Sequence, residues 1–312
     1  MVKVSVIIAA YRAAENLPES VASALAQENV AVEVIIVDDA SPDNTAAVAD
    51  ELACTDSRVR VIRQPENGGP GVARNAGFAA AEGDWIAVLD ADDTMESDRL
   101  VRLTSFGEAQ GADAVYDNLT IVRADQGGRD DDTYLNPATF HTATAWDLPF
   151  YIQNNQARPG QPSLGYLKPV FRRQFLAQHN LKYASALRNG EDFHLMLDAL
   201  NAGAALWFFP AAMYRYTTGA ASISSTLNLD HARALIAAST DFIQENECKL
   251  HADVIKLMKT RRRRLQDFAT AETMLRALKA RRFGTLGKAL FTNPRGLFRF
   301  GQQMSQALAK RL

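Results

Sequence analysis

Four short apolar or β-branched runs, each followed by a helical pattern, constrain this chain more than any other feature. The runs are Lys3–Ala9, Val32–Val37, Arg58–Arg63 and Trp85–Leu89. Strands that read as near-continuous apolar segments are buried on both faces, as in a parallel sheet covered by helices. The intervening patterns fit that reading. Glu15–Gln27 carries Leu17, Val21, Ala24 and Leu25 at helical spacing. Pro42–Leu52 is expected to be a helix with Ser41 as N-cap and Pro42 at the first helical position. Gly71–Ala81 is a third helix, and Ser97 is the expected cap of a fourth reaching about Ala109. Ala112–Tyr116 and Leu119–Val122 read as two further strands. The fold class expected is α/β: a Rossmann-like, mostly parallel twisted sheet with helices on both faces.

The rhythm changes after residue 123. An acidic, glycine-rich turn (Asp125–Asp132) and a polar stretch (Gln153–Pro162) read as loops. Lys168–Arg172 resumes a strand pattern, helices are expected at Arg173–His179 and Glu191–Ala202, and strands at Ala205–Phe209 and Met213–Tyr216. A small-residue loop, Gly219–Ser225, precedes a region that reads as amphipathic helix from Asp230 onward, with a break near Asn293-Pro294. The expected domains are therefore residues 1–226 (halves 1–120 and 121–226) and a helical basic region, 227–312.

Charge is divided unevenly along the chain. Residues 249–312 hold 16 Lys and Arg against 3 Asp and Glu, a net of +13, and the preceding 248 residues carry −15. Such a tail fits an anionic partner. Its basic and apolar residues mix in Arg261–Arg264, Lys279–Phe283 and Leu297–Phe300, so peripheral contact with an anionic membrane is expected. Packing on the acidic body, or contact between two copies as a homodimer, is the alternative. The longest apolar run, Ala202–Met213, falls short of the roughly 20 residues of a membrane-spanning helix. The N-terminal residues read as a strand rather than a signal peptide, and two distant cysteines, Cys54 and Cys248, fit a reducing compartment. A cytoplasmic location, including a peripheral place on the inner face of the membrane, is the expectation.

Ligands of open parallel sheets bind beyond the carboxyl ends of the strands. Here those ends carry Ala10-Tyr11-Arg12, Asp38-Asp39-Ala40-Ser41, the Asn67–Gly71 loop leading to Arg74, and Asp90-Ala91-Asp92-Asp93. Three carboxylates within four residues repel one another unless a cation intervenes, and hard oxygen ligands suit Mg2+ or Mn2+; a solvated acidic loop is the bland alternative. Asp38 or Asp39 could accept hydrogen bonds from a base or ribose, or could serve the turn with Ser41. There is no Gly-x-Gly-x-x-Gly at the first strand–helix turn and no Walker-type Gly-Lys-Ser/Thr, which disfavours a dehydrogenase and a P-loop enzyme.

The motifs "VSVIIAAYR", "VEVIIVDDASPDNT", "NGGPGVARNAG" and "WIAVLDADD", in this order, resemble the catalytic domain of family-two glycosyltransferases of the GT-A fold. The likeness covers Val4 to about Tyr116 and continues more thinly through "GYLKPVFRR" and "NGEDFHLMLDAL". The overall cast is similar to bacterial exopolysaccharide glycosyltransferases of the succinoglycan type. The last 80 or so residues are outside the match. The resemblance implies roles. Ala10 and Tyr11 would lie under the nucleotide, and Asp38 or Asp39 would bind uracil or ribose. Asn67 belongs to the nucleotide loop, and Arg74 would face the uracil or the phosphates. Asp90 and Ala91 would meet the ribose, Asp92 would ligate the metal with Asp93 in support, and Asp192 would be the catalytic base. Two departures stand out. The family's first motif is usually Ile-Pro-x-Tyr-Asn, where this chain has Ala9 and Arg12, and Tyr216-Thr217-Thr218 lacks the histidine that some relatives place there.

The function so implied is an inverting, Mn2+- or Mg2+-dependent hexosyltransferase in polysaccharide biosynthesis. Its donor would be a UDP-sugar, with glucose favoured, and its acceptor a saccharide or lipid-linked saccharide. By the residues alone, Asp192 also reads as an acid favoured by a helix dipole. His194 reads as a packing residue, Trp146 and Tyr151 as either sugar-stacking or core aromatics, and Lys168, Arg172 and Arg173 as either diphosphate contacts or an exposed basic cluster. A nucleotidyltransferase would carry a glycine-rich, arginine-containing loop after the first strand, and "AAYRAAEN" is not one. A non-catalytic membrane- or nucleic-acid-binding protein would leave the carboxylates unexplained. No nucleic-acid partner is expected, because the aromatic-rich strand motifs of RNA binders are missing.

Overall fold

In the computed structural model, which describes residues 1–123, 129–158, 161–218 and 227–301, the register of the central strands brings the acidic loops together. Strands β1 (Lys3–Ala10), β2 (Ala31–Asp38), β3 (Val59–Arg63) and β4 (Trp85–Asp90) form a parallel set in the order β3-β2-β1-β4. Ala10 is level with Asp38, and Ala9 with Asp90. The chain therefore leaves three adjacent strands at one edge of the sheet. The apolar runs explain why these strands are central: Val6, Ile7, Ile8, Val34–Val37 and Ile86–Leu89 are buried, removing apolar surface from water along their whole length.

Helices α1 (Leu17–Leu25), α2 (Thr45–Thr55), α3 (Pro70–Ala80) and α4 (Arg99–Gln110) link and cover the strands. α3 packs on β1 and β2, with Gly77 so close to Ile7 that a Cβ there would overlap its Cγ2. Two helix starts differ from the sequence expectation. α2 begins at Thr45, with Asn44 rather than Ser41 at the N-cap, because Ser41 is committed to the neighbouring loops. Its amide donates to Asp38 Oδ1 at 3.2 Å, and its hydroxyl accepts from the Arg12 amide at 3.3 Å. α4 begins at Arg99, with Asp98 at the N-cap, while the Ser97 hydroxyl donates to Glu28 at 2.8 Å.

The sheet continues through β5 (Thr94–Met95), β6 (Ala114–Arg123), β7 (Arg129–Thr133), β8 (Thr144–Trp146), β9 (Val170–Arg172) and β10 (Leu206–Thr218). Beyond β4 the order is β9-β6-β10-β5; β7 pairs with β6, and β8 with β10. β9 is antiparallel to both its neighbours, and β10 is parallel to β6. Segments expected as two pairs of strands are single strands. In β6 the polar pair Asp117-Asn118 does not end the strand because both side chains are buried and satisfied. Asp117 grips Arg99, and Asn118 Oδ1 accepts from the amides of Leu119 and Leu135 at 2.9 and 2.8 Å. In β10 the ladder shifts register between Phe209 and Tyr214 instead of ending at Pro210, a bulge being one of the places a sheet tolerates proline.

By internal contacts the chain divides into two units, Met1–Leu148 with Leu164–Ser222, and Pro149–Ser163 with Ile223–Leu312. The first holds the sheet, with α6 (Arg173–Gln178) and α7 (Glu191–Asn201). Most of α5 (Leu148–Gln153) belongs to the second, with α8 (Leu229–Asn246), α9 (Ala252–Lys279) and α10 (Phe283–Thr292). Within the second unit the Arg261–Arg264 run is not the outward basic stripe expected. Arg261 is buried and donates to the Asn155 carbonyl at 3.0 Å and to Ser239 Oγ at 3.2 Å. Arg264 donates to Gln156 Oε1 at 3.0 Å, and Arg262 to Thr240 Oγ1 at 3.4 Å. Among the described residues no helix is long and apolar enough to cross a membrane. The glycine-rich turn at 125–128 and the small-residue loop at 219–225 lie outside the described residues.

Candidate active site

The glycine loop before α3 is held by Asp39, which follows β2. Its two carboxylate oxygens accept from the amides of Gly68 and Gly69 at 2.9 and 2.8 Å, and Gly69 adopts φ +88°, a conformation that favours glycine. Asn67 donates through Nδ2 to the Asp39 carbonyl at 3.2 Å, and Arg188 grips the Asn67 side chain and carbonyl, each at 2.8 Å. Asp38 supports the adjoining turn through Ser41. Ala10 is buried level with Asp38, whereas Tyr11 is partly exposed with the Arg12 guanidinium 5.5 Å from its ring centre.

α3 also delivers Arg74, and this buried side chain links elements far apart in sequence. Nη2 meets Asp90 Oδ1 at 2.7 Å, and Nη1 meets Glu191 Oε1 at 2.9 Å and Asp192 Oδ1 at 3.0 Å. Lys168, just before β9, repeats the bridge: Nζ lies 2.6 Å from Asp90 Oδ2 and 3.7 Å from Asp192 Oδ2. Asp90, at the end of β4, and Asp192, in the first turn of α7, thus share two buried cations. Burial alone would discharge Lys168, but the charges of Asp90 and Asp192 hold its ammonium above its ordinary pKa. Burial likewise opposes the charge on Asp90, yet Lys168 and Arg74 keep its carboxyl well below the usual range.

The rest of the acidic loop divides into a solvent-facing and an anchored carboxylate. Asp93 is buried; Oδ2 accepts from the Tyr214 hydroxyl and Oδ1 from the Thr217 amide, both at 2.7 Å. The same Tyr214 oxygen accepts from the Asp90 amide at 3.0 Å, which fixes the turn between the two aspartates, and Ala91 is buried between them. Asp92 is exposed. One ligand oxygen from each of Asp90, Asp92 and Asp93 lies within 4.8 Å of the others. Loss of water and the Asp90 charge push the Asp92 carboxyl up, and burial with both neighbouring charges pushes Asp93 well above its ordinary value. Among the described residues, Arg74 and Lys168 pair with Asp90, Asp192 and, for Arg74, Glu191, while Asp92 and Asp93 adjoin Asp90. The Asp90, Asp92 and Asp93 oxygens fit a hard divalent cation, because they are close-spaced and all oxygen.

Several of these groups are not legible from local sequence. Lys168 separates from its neighbours: Arg172 pairs with Glu108 at 3.0 Å and lies 4.5 Å over the Trp85 ring, and Arg173 donates to the Gly83 carbonyl at 2.5 Å. The strand pattern that opens at Lys168 is the one sequence hint that it lies at a strand boundary; β9 itself starts at Val170. Arg188 and Tyr214 carried no signal. Trp146 and Tyr151 are core residues and not sugar-stacking surfaces; Trp146 stacks on Phe208 with centroids 4.8 Å apart, and Tyr151 is fully buried. His194 is buried beside Phe193, whose ring meets it edge-on at 5.1 Å.

The sequence profile described as Glycosyl transferase family 2 matches residues 5–176, more than half of the chain. The chain belongs to glycosyl transferase family 2. It is similar to the succinoglycan biosynthesis protein ExoO of Rhizobium meliloti, with 38% identity over 99% of this chain and 86% of that one. It is also similar to ExoU of the same organism, with 39% identity over 64% of this chain and 58% of that one. Among solved structures the fold matches S. aureus TarS in complex with UDP-GlcNAc, with TM-score 0.62, 17% identity, and 94% and 92% of the two chains covered. It also matches a Pyrobaculum calidifontis mannosyltransferase in complex with GDP-Man and Mn2+, with TM-score 0.59, 17% identity, and 98% and 80% covered. The α/β, mostly parallel GT-A-like fold with C-terminal helices is thereby shown, and the protein is a glycosyltransferase. Membership also sets aside the nucleotidyltransferase and the non-catalytic binding protein. The family's preference for Asn in its first motif has a backbone reason here: Arg12, at that position, has φ +54°, where Asn is tolerated and longer side chains are strained. Arg12→Asn should therefore stabilise the fold by about 0.5 kcal/mol, read as a higher urea midpoint at unchanged slope. A lower midpoint would show that the guanidinium's contact with Tyr11 outweighs the backbone strain.

Proposed function

We propose that this glycosyltransferase transfers a sugar from a UDP-sugar to a saccharide hydroxyl, with inversion at the anomeric carbon, during exopolysaccharide assembly. One observation carries the reading: Asp192 is drawn to the strand-end carboxylate Asp90 by the same two buried cations, so an acid on α7 and the nucleotide-side acids occupy one site. The roles follow from chemistry. Asp38 and Asp39 hold the loops against which uracil and ribose bind, with Ala10, Tyr11 and Asn67 alongside, and Asp90 and Ala91 form the ribose-side turn. Asp90, Asp92 and Asp93 would hold Mn2+ or Mg2+, Asp92 as the outermost ligand. When bound, the cation neutralises charge on the departing diphosphate. Arg74 and Lys168 keep the Asp90 carboxylate charged and hold both Asp90 and Asp192 in place.

Asp192 Oδ1 is engaged by Arg74 at 3.0 Å, while Lys168 approaches Oδ2 only to 3.7 Å. We assign Oδ2 as the atom that receives the acceptor proton. As the acceptor oxygen bonds to the anomeric carbon, the bond from that carbon to the diphosphate oxygen breaks and UDP leaves with the electron pair. One displacement converts an α-linked donor into a β-glycoside. The names of the similar succinoglycan proteins support a place in exopolysaccharide biosynthesis, and the acceptor proposed is a saccharide or lipid-linked saccharide. The UDP-GlcNAc complex of TarS supports a uridine donor. Glucose is the first sugar to test.

A panel of UDP-sugars with Mn2+, scored for slow donor hydrolysis, tests the reading; no turnover of any UDP-sugar, with turnover of a GDP-sugar instead, would overturn the donor assignment. The metal role has its own test. Asp92→Ala should weaken Mn2+-dependent UDP binding by about tenfold or more in titration calorimetry, because it removes the outermost of the close-spaced ligands. Equal affinity in the variant would remove Asp92 from the metal site.

A further inference from the structure

In the second unit, α10 and the turn after it leave large apolar side chains exposed. α10 packs against α9 yet buries none of its residues. Helical spacing places Phe283, Leu286, Leu290 and Phe291 on one face, with Thr285, Lys288 and Thr292 opposite. Phe283 is 66% exposed, Phe291 91%, Leu297 52% and Phe298 74%. Such large side chains in one short stretch are not the scattered apolar residues of an ordinary surface.

The stretch is displayed by anchoring on either side. After α10 the chain is tied to α9 through Asn293, whose Nδ2 donates to Asp267 Oδ1 at 2.9 Å and to Thr270 Oγ1 at 3.2 Å. Gly296 lies so close to Thr270 that a Cβ would come within 2.6 Å of its Cγ2. Arg299 then donates to the Ala157 carbonyl at 2.8 Å and lies 5.7 Å from the Phe268 ring centre. Polar groups and the glycine thus face α9, while the phenylalanines before and after this turn remain outside.

Charge selects the occupant. From residue 273 to 301 there are seven Lys and Arg and no Asp or Glu. Arg276, Lys279, Arg281, Arg282, Lys288 and Arg295 are exposed. A second copy docking through this same surface would bring equally cationic, acid-free residues against it, which is repulsive. Anionic phospholipid headgroups supply the opposite charge, and the acyl boundary beneath them takes up aromatic and aliphatic side chains. We infer that the Phe283–Phe298 surface docks on a bilayer containing anionic phospholipid, with its apolar side chains in the interface and the flanking cations on headgroup phosphates. The structure narrows the sequence expectation: the tail's arginine run at 261–264 is largely turned inward, and the docking residues lie after it. The inference concerns this surface alone and stands whatever donor the enzyme uses.

The test is co-sedimentation of the full chain with vesicles of phosphatidylcholine alone, or with about one third phosphatidylglycerol. The protein should partition at least about tenfold more strongly to the anionic vesicles, and weaken as salt is raised. The variant Phe283→Ser/Phe291→Ser/Phe298→Ser should lose about tenfold or more of that partitioning, with thermal melting and donor hydrolysis unchanged. Should that variant be misfolded, Arg281→Gln/Arg282→Gln/Lys288→Gln tests the same surface by charge, and should weaken anionic-vesicle binding to a similar degree. Equal partitioning of the wild-type chain to both vesicle types, or wild-type partitioning by a folded serine variant, overturns the proposal. A lipid-independent dimer that the serine variant converts to monomer would assign the surface to a second copy instead.

Discussion

Asp192→Asn is expected to cut sugar transfer by a factor of about 100 to 10,000 while UDP and Mn2+ affinities stay close to wild type. The amide is nearly isosteric with the carboxylate but cannot accept the acceptor's proton. The substitution should not release the rest of the site. Arg74 keeps Asp90 at 2.7 Å and Glu191 at 2.9 Å, and Lys168 keeps Asp90 at 2.6 Å. Single-turnover transfer and UDP calorimetry, measured on the same preparation, separate two explanations. Loss of transfer with intact UDP binding identifies Asp192 as the base. Loss of both would mean that its main contribution is to hold Arg74. Near-normal transfer would remove it from the chemistry.

Asp117→Ala should destabilise the fold by about 3–5 kcal/mol, the largest single-residue stability effect we anticipate. Arg99 and Asp117 are both fully buried. The guanidinium meets the carboxylate through three bonds, Nε to Oδ2 at 3.0 Å and to Oδ1 at 3.3 Å, and Nη2 to Oδ1 at 2.9 Å. Removing the carboxylate leaves a fully buried charge without its counter-ion, and that charge cannot be discharged. Replacing both residues by apolar ones of similar volume should cost less than Asp117→Ala alone, because no uncompensated charge remains. Urea unfolding of the single and double variants checks both statements. A loss below about 1 kcal/mol for Asp117→Ala would mean that water reaches Arg99. The pair also bears on the site: Arg99 Nη2 donates to the Lys168 carbonyl at 2.7 Å and the guanidinium lies 5.1 Å from the Tyr214 ring centre. Its loss should loosen Lys168 and Tyr214, two of the residues that touch the Asp90 turn.

Much of the candidate site was legible because its parts follow buried strands directly. An apolar run that ends in Asp38-Asp39 or in Asp90-Ala91-Asp92-Asp93 can be recognised locally, and level strand ends follow from parallel pairing. The internal division of that site was not legible. Asp39, named for the nucleotide, spends both carboxylate oxygens on Gly68 and Gly69. Asp93 is anchored by Tyr214 and Thr217, whereas Asp92 faces solvent. Lys168 looked like one member of a basic cluster with Arg172 and Arg173, because charge count carries no information on which side chain turns inward.

The tail shows the same limit. Its excess of Lys and Arg is plain in the sequence, but whether an arginine faces solvent depends on what else is brought to it. Arg261 is buried because the carbonyl of Asn155, 106 residues earlier, comes within 3.0 Å. The joining of Pro149–Ser163 to the C-terminal helices likewise rests on contacts that no local pattern announces.

By itself, then, the sequence determined the alternation of strands and helices, the family, and which loops carry acids, since these depend on residue type and short-range spacing. Tertiary structure alone decided that Arg74 and Lys168 join Asp90 to Asp192, that Tyr214 and Arg99 hold the acidic turn, and which basic residues of the tail remain outside. Those outcomes turn on charges and hydrogen-bonding groups separated by up to 142 residues meeting in space, where one partner's position sets the electrostatic state of the other.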